Sequence, residues 1–126
     1  MSVRTTISDP IPERSTRYLS FTVTDVDGVT PLANADTLLI TLILTLFNAL
    51  SREVVNSRSA QSILNVNGGS VTSAGVVTLR FDPADTAILG STSEARVASV
   101  AWTWNNPLVT GRHEIGFTVV DLALVP

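Results

Sequence analysis

The sequence predicts an all-β sandwich, and three observations carry that expectation. Apolar and polar residues alternate in the stretches 17–24, 76–81 and 112–122, the period-two pattern of strands with one buried face. Turn-forming clusters separate such stretches at spacings of roughly 8–15 residues, as in stacked antiparallel sheets. The composition also supplies a core: 44% of the 126 residues are hydrophobic and 15% charged, the reverse of the balance that keeps a chain unfolded. A single domain of this size buries roughly two-thirds of the surface that its unfolded form exposes.

Taken in order, residues 1–16 read as an extended N-terminal arm. Asp9-Pro-Ile-Pro12 forbids regular structure there, because each proline fixes its own backbone and restricts its predecessor. The sandwich domain spans 17–126. Leu19, Phe21 and Val23 alternate with Tyr18, Ser20 and Thr22 in the first strand, and Asp25-Val-Asp-Gly28 turns the chain. Residues 37–47 are apolar on both sides, with Leu38, Ile40, Leu42, Leu44 and Leu46 on one of them. The leucines admit a helix; the threonines and isoleucines favour a long central strand. A short strand follows at 53–56, and 58–64 reads as a helical turn or a loop. Asn67-Gly-Gly69 reads as a hairpin-type turn.

Beyond it, 71–72 and 76–81 read as strands about the turn Ser73-Ala-Gly75, with Val77, Leu79 and Phe81 facing inward. Asp82-Pro-Ala-Asp85 starts a short helix near residues 83–89, with Asp82 as cap, Pro83 in the first position and Asp85 at the positive end of the dipole. Gly90 stops it. The strands 97–104 and 112–122 complete about seven strands in all. Such a helix between two late strands resembles the crossing turn of immunoglobulin-like domains, although their cysteine pair is absent.

Charge and residue inventory exclude several functions. The chain has no cysteine, one histidine and no lysine. A disulfide scaffold, a thiolate or multi-histidine metal site, a cysteine nucleophile and a Walker-type nucleotide site are therefore out. The net charge is −3 and the eight arginines are scattered, which is unlike the basic stripe of a nucleic-acid binder. Using arginine alone fits forked hydrogen bonds across contacts and equally fits a genomic base composition. The start of the chain has no apolar stretch of signal-peptide type. The apolar run 38–50 falls short of the ~18 residues that a membrane span needs. Synthesis in a cytoplasm and no membrane partner are expected.

Catalytic or ligand-binding groupings are sparse. Asp25 and Asp27 hold two carboxylates where calcium needs about six oxygens, so a plain turn is the reading. Asp82 and Asp85 are explained by helix capping. His113 and Glu114 are strand neighbours and point to opposite faces; His113 and Glu94 would form an acid–base pair only by meeting across strands. No Gly-x-Ser-x-Gly elbow occurs. The chain is expected not to be an enzyme and to carry no cofactor or metal. Trp102 and Trp104 share a face, which suits either core packing and subunit contact or a sugar-binding platform.

Several segments carry a family resemblance: Val54-Val-Asn-Ser-Arg58 with Gln61 and Leu64-Asn65, then Gly75 to Leu89, then Ala101-Trp-Thr-Trp104. They resemble small virion proteins encoded among the head and tail morphogenesis genes of tailed bacteriophages. Phe21-Thr-Val-Thr-Asp-Val-Asp-Gly28 is similar to the immunoglobulin-like N-terminal domain of phage baseplate upper proteins. The resemblance runs from about Arg17 to Leu122 and rests on packing and turn motifs. It departs at Glu94-Ala-Arg96, where a histidine near the glutamate is expected. It implies an immunoglobulin-like sandwich acting as a structural accessory protein of the virion. Such a protein would dock in many symmetric copies on portal or neck, tail or major capsid proteins. Ile11, Arg14, Arg17, Trp102 and Trp104 are the expected contact residues. The alternative is a carbohydrate-binding or adhesin module using Trp102 and Trp104.

Overall fold

Alternation of side chains across two sheets builds this protein. The structure is a computed structural model, and it describes residues 2–7, 10–25, 27, 29–88, 93–105 and 109–120. The strands are β1 (Ser2–Thr6), β2 (Ile11–Pro12), β3 (Arg17–Thr22), β4 (Leu39–Asn48), β5 (Gln61–Ser62), β6 (Gly69–Val71), β7 (Val76–Phe81), β8 (Glu94–Trp104) and β9 (Thr110–Val120). One helical turn, α1 (Ala35–Leu38), precedes β4, and a 3-10 turn, Pro83–Asp85, follows β7.

The larger sheet runs β1-β9-β8-β4-β5, with β2 also on β9, and the smaller runs β3-β7-β6. The two sheets form a β-sandwich. The first strand lies beside the last one, and the β7–β8 connection carries the chain between sheets through the 3-10 turn. The core is shared by both layers. Leu42, Leu44, Leu46, Val100, Ile115 and Phe117 face Phe21, Val77, Leu79 and Phe81. Ring contacts join the sheets: Phe81 to Phe117 at 5.1 Å and Phe21 to Trp102 at 6.2 Å between centroids.

The all-β sandwich is as expected, and seven of the described strands have three or more residues. Several local expectations are corrected. The arm is not irregular throughout: β1 pairs in parallel with β9 from Ser2↔Arg112 to Thr6↔Gly116, and β2 pairs Ile11↔Val119. Proline is tolerated in β2 because a strand at a sheet edge can spare an N–H; Asp9 lies outside the described residues. The central strand begins at Leu39 and not at 37, because Asn34, at φ 55°, turns the chain into α1. A register shift between Leu39 and Thr41 then breaks the expected stripe. Leu39 is buried and Ile40 is 55% exposed, while Leu42, Leu44 and Leu46 keep their inward face.

Val54 forms a lone bridge to Phe47 instead of a strand at 53–56. Residues 58–64 contain β5 and no helical turn. The turn at Asn67 and Gly68 links β5 of one sheet to β6 of the other, so it closes no hairpin. The helix expected over 83–89 is a three-residue 3-10 turn ending at Thr86; Gly90 lies outside the described residues. The final strand begins at Thr110 and is described as far as Val120.

Candidate functional site

Polar groups inside the sandwich gather around the turn after β7. Asp85 is fully buried, and its carboxylate accepts four hydrogen bonds. Arg58 Nε donates to Oδ1 at 2.7 Å and Nη2 to Oδ2 at 2.9 Å. Asn56 Nδ2 donates to Oδ1 at 2.9 Å, and the backbone N–H of Asp82 donates to Oδ2 at 2.8 Å. Arg58 Nη1 donates to Gln61 Oε1 and to the carbonyl of Asn67. A second arginine holds the backbone of the same turn. Arg96 Nη1 donates to the Asp85 carbonyl at 2.7 Å, and Nη2 to the Ala87 carbonyl and to Glu94 Oε1. Two guanidinium forks thus fix the chain where it crosses between the sheets.

Thr86 ties the arm to this turn. Its hydroxyl donates to the Ser15 carbonyl and accepts from the Ser15 N–H, both at 2.9 Å, and its carbonyl accepts from the Arg14 N–H. Every carboxylate oxygen of Asp85 is occupied, so the cluster is a structural clamp with no vacant base. The capping expectation for Asp82 and Asp85 is incomplete without the pairing to Arg58. No spacing signals that pairing, because 27 residues separate the partners.

The expected site residues scatter. Asp27 serves its own turn, with Oδ1 accepting from the Val29 and Thr30 N–H groups at 2.9 Å. The Thr30 hydroxyl first, and then these N–H groups, hold its carboxyl below the usual range. No group of three or more metal-ligating side chains occurs among the described residues. His113 faces inward opposite Val100, whereas Glu94 pairs with Val119 at the far end of β8, so the two do not meet. The His113 ring stacks on Phe21 at 4.6 Å and hydrogen-bonds Thr5 Oγ1 at 2.9 Å through Nε2. Burial lowers its pKa from the ordinary 6.5.

Trp102 and Trp104 do share a face, but that face turns into the sandwich. Trp102 is buried, Trp104 packs against the core, and both indole nitrogens are enclosed. Trp104 keeps partial exposure, and Trp102 lines a hollow on the outer side of the sheet. Ile11 is only 1% exposed and belongs to the core. Arg14 and Arg17 are exposed.

Two surface features were not foreseen. The outer face of the larger sheet is nearly uncharged: on β4, β8 and β9 its outward positions carry only Arg112 and Glu114 as charges. A shallow hollow of about 490 Å³ opens there over Ala101, rimmed by Thr41, Ile43, Thr103, Thr110 and Arg112. The second feature is the edge of β3. Tyr18 is 65% exposed there, and a hollow of about 280 Å³ lies between Ile7, Ile11, Arg17, Tyr18 and Leu19. The signal for the first was the run of small residues at alternate positions of β8, Ser99, Ala101 and Thr103. The chain matches no protein-family model, no curated protein and no solved structure.

Proposed function

We infer that the chain is a structural accessory protein of a tailed-phage virion, acting through protein–protein contacts on the neck or tail or on the capsid surface. The observation that carries this reading is the outer face of the larger sheet. On β4, β8 and β9 it carries only Arg112 and Glu114 as charges, and depletion of charge marks the core of an interface. The polar clusters support it from the other direction, since Asp85, Asp27 and Arg58 are engaged within the fold. A domain so built works by presenting surface, and repetition in a symmetric ring or shell turns modest contacts into stable docking.

The test is quantitative mass spectrometry of purified particles carrying the wild-type chain or Ala101→Arg. The expected result is a fixed copy number per particle for the wild type. Incorporation should fall at least tenfold for the variant, with its melting temperature unchanged. Absence of the wild-type chain from purified particles contradicts the reading.

A further inference from the structure

We propose that the chain binds a neutral glycan in the polar hollow next to Arg80, with Tyr18 as its stacking face. The site is independent of the virion reading and uses none of the outer face of the larger sheet.

The hollow measures about 310 Å³ and is lined by Asn56, Arg58, Gln61, Asn67, Arg80 and Asp82. No apolar side chain is among them, so recognition there falls to hydrogen bonds. Each of the three amides is fixed at one end and unspent at the other. Asn56 Nδ2 donates to Asp85 at 2.9 Å, and its Oδ1 has no partner among the described residues. Gln61 Oε1 accepts from Arg58 Nη1 at 3.2 Å, which leaves Nε2. Asn67 Nδ2 donates to the Ser62 carbonyl at 2.9 Å, which leaves Oδ1. The partners fix which end is which, since a carboxylate or carbonyl needs the NH2 and a guanidinium needs the oxygen. Arg80 spends Nε on Asp82 at 2.7 Å and keeps Nη1 and Nη2 without a partner among the described residues.

Amides held in this way lose little rotamer freedom when they meet a ligand. Asn56 and Asn67 both stand at φ 54°, in the left-handed region, and residues kept there recur at ligand clamps. The unspent groups decide the ligand's class. Oδ1 of Asn56 and of Asn67 accept, whereas Gln61 Nε2 and the Arg80 terminal nitrogens donate. An anion needs donors alone and a cation acceptors alone. A hydroxyl does both, so the neighbouring hydroxyls of a sugar match the mixture. The charges agree, because Arg58 is paired with Asp85 and Arg80 with Asp82.

A sugar also has apolar C–H faces, and Tyr18 answers these. It lies directly opposite Arg80 in the β3–β7 ladder, so the two side chains share the outer face of the smaller sheet with Cβ atoms about 5 Å apart. Arg80 is itself part of the hollow's lining, which puts Tyr18 one residue from the rim. The ring is 65% exposed and has an apolar body with a polar tip. One sugar unit in the hollow places the next over this ring.

An array of neutral and acidic oligosaccharides probed with the full chain, followed by calorimetric titration of the strongest neutral one, tests this. The wild type is expected to bind neutral glycans and to keep them in high salt, which screens ionic contacts. Tyr18→Ala removes the ring from an exposed position. Gln61→Glu keeps the oxygen that Arg58 holds and replaces the unspent donor with an acceptor. Each should weaken the titrated glycan at least tenfold, with the melting temperature unchanged. A wild type that retains no neutral glycan overturns the proposal, as does one that retains only acidic glycans and loses them in high salt. Unchanged affinity in either folded variant overturns it too. Should Gln61→Glu fail to fold, Tyr18→Ala decides by the same measure.

Discussion

Arg58 grips Asp85 with two parallel hydrogen bonds of 2.7 and 2.9 Å, across 27 residues of chain and with both side chains buried. The pair joins the segment before β5 to the turn after β7. Its worth lies less in net attraction than in what either partner would cost alone.

Removing one partner should therefore be severe. Asp85→Ala leaves a buried guanidinium without its carboxylate and is expected to destabilise the fold by about 3–5 kcal/mol. Arg58→Met combined with Asp85→Leu should cost less than the sum of the two single changes, since no buried charge remains. Urea unfolding of Asp85→Ala beside the wild type measures the first effect, and the same titration of the wild type, Arg58→Met, Asp85→Leu and the double variant measures the cycle.

Ile11 anchors the arm to the domain it precedes. Residues 1–16 read from the sequence as an extended arm lying on the domain or on a neighbour; β1 and β2 pair with β9 and Ile11 is in the core. Ile11→Ala should cost about 2–5 kcal/mol, and deleting 1–16 should lower the melting temperature. An unchanged melting transition in both would free the arm from this role.

Gly69 allows β6 to pass close to Ile63. A Cβ at Gly69 would lie 2.0 Å from the Ile63 carbonyl oxygen, a backbone atom that moves only with the chain that follows β5. Gly69→Ala is expected to destabilise by more than about 1–3 kcal/mol, the usual cost of overpacking, as read in a denaturant titration.

His113 makes stability depend on pH. Its folded pKa lies below the unfolded value of 6.5 because burial disfavours the charged ring. The unfolded chain then binds the proton more readily, so stability is whole above that value and declines as pH falls through it towards the folded pKa. Urea midpoints at pH 7.5 and 5.5 should differ in the wild type, with the lower at pH 5.5. In His113→Phe that difference should shrink.

Legibility in the sequence followed the range of the interaction. Alternation wrote out β3, β7 and β9, and the inward faces of Val77, Leu79 and Phe81 came with it. The same-face placement of Trp102 and Trp104 was equally plain, but period two cannot say which face is wet. Both rings went inward, because β8 lies between β9 and β4 and its inner face covers Phe21. β1 left no local trace: its partner lies more than a hundred residues on, as the Thr5–His113 bond shows. The shift at Ile40 was hidden by an apolar run that reads alike in either register. Arg58 and Asp85 looked like an ordinary loop arginine and a helix cap until the sandwich closed around them.

Cryo-electron microscopy of purified particles tests the central claim most directly, that this domain acts by laying a sheet face on a neighbouring virion protein. The account predicts symmetric copies with Ala101, Ile43 and Thr103 buried against another polypeptide. Copies attached elsewhere, with that face open to solvent, or particles without the domain would contradict it.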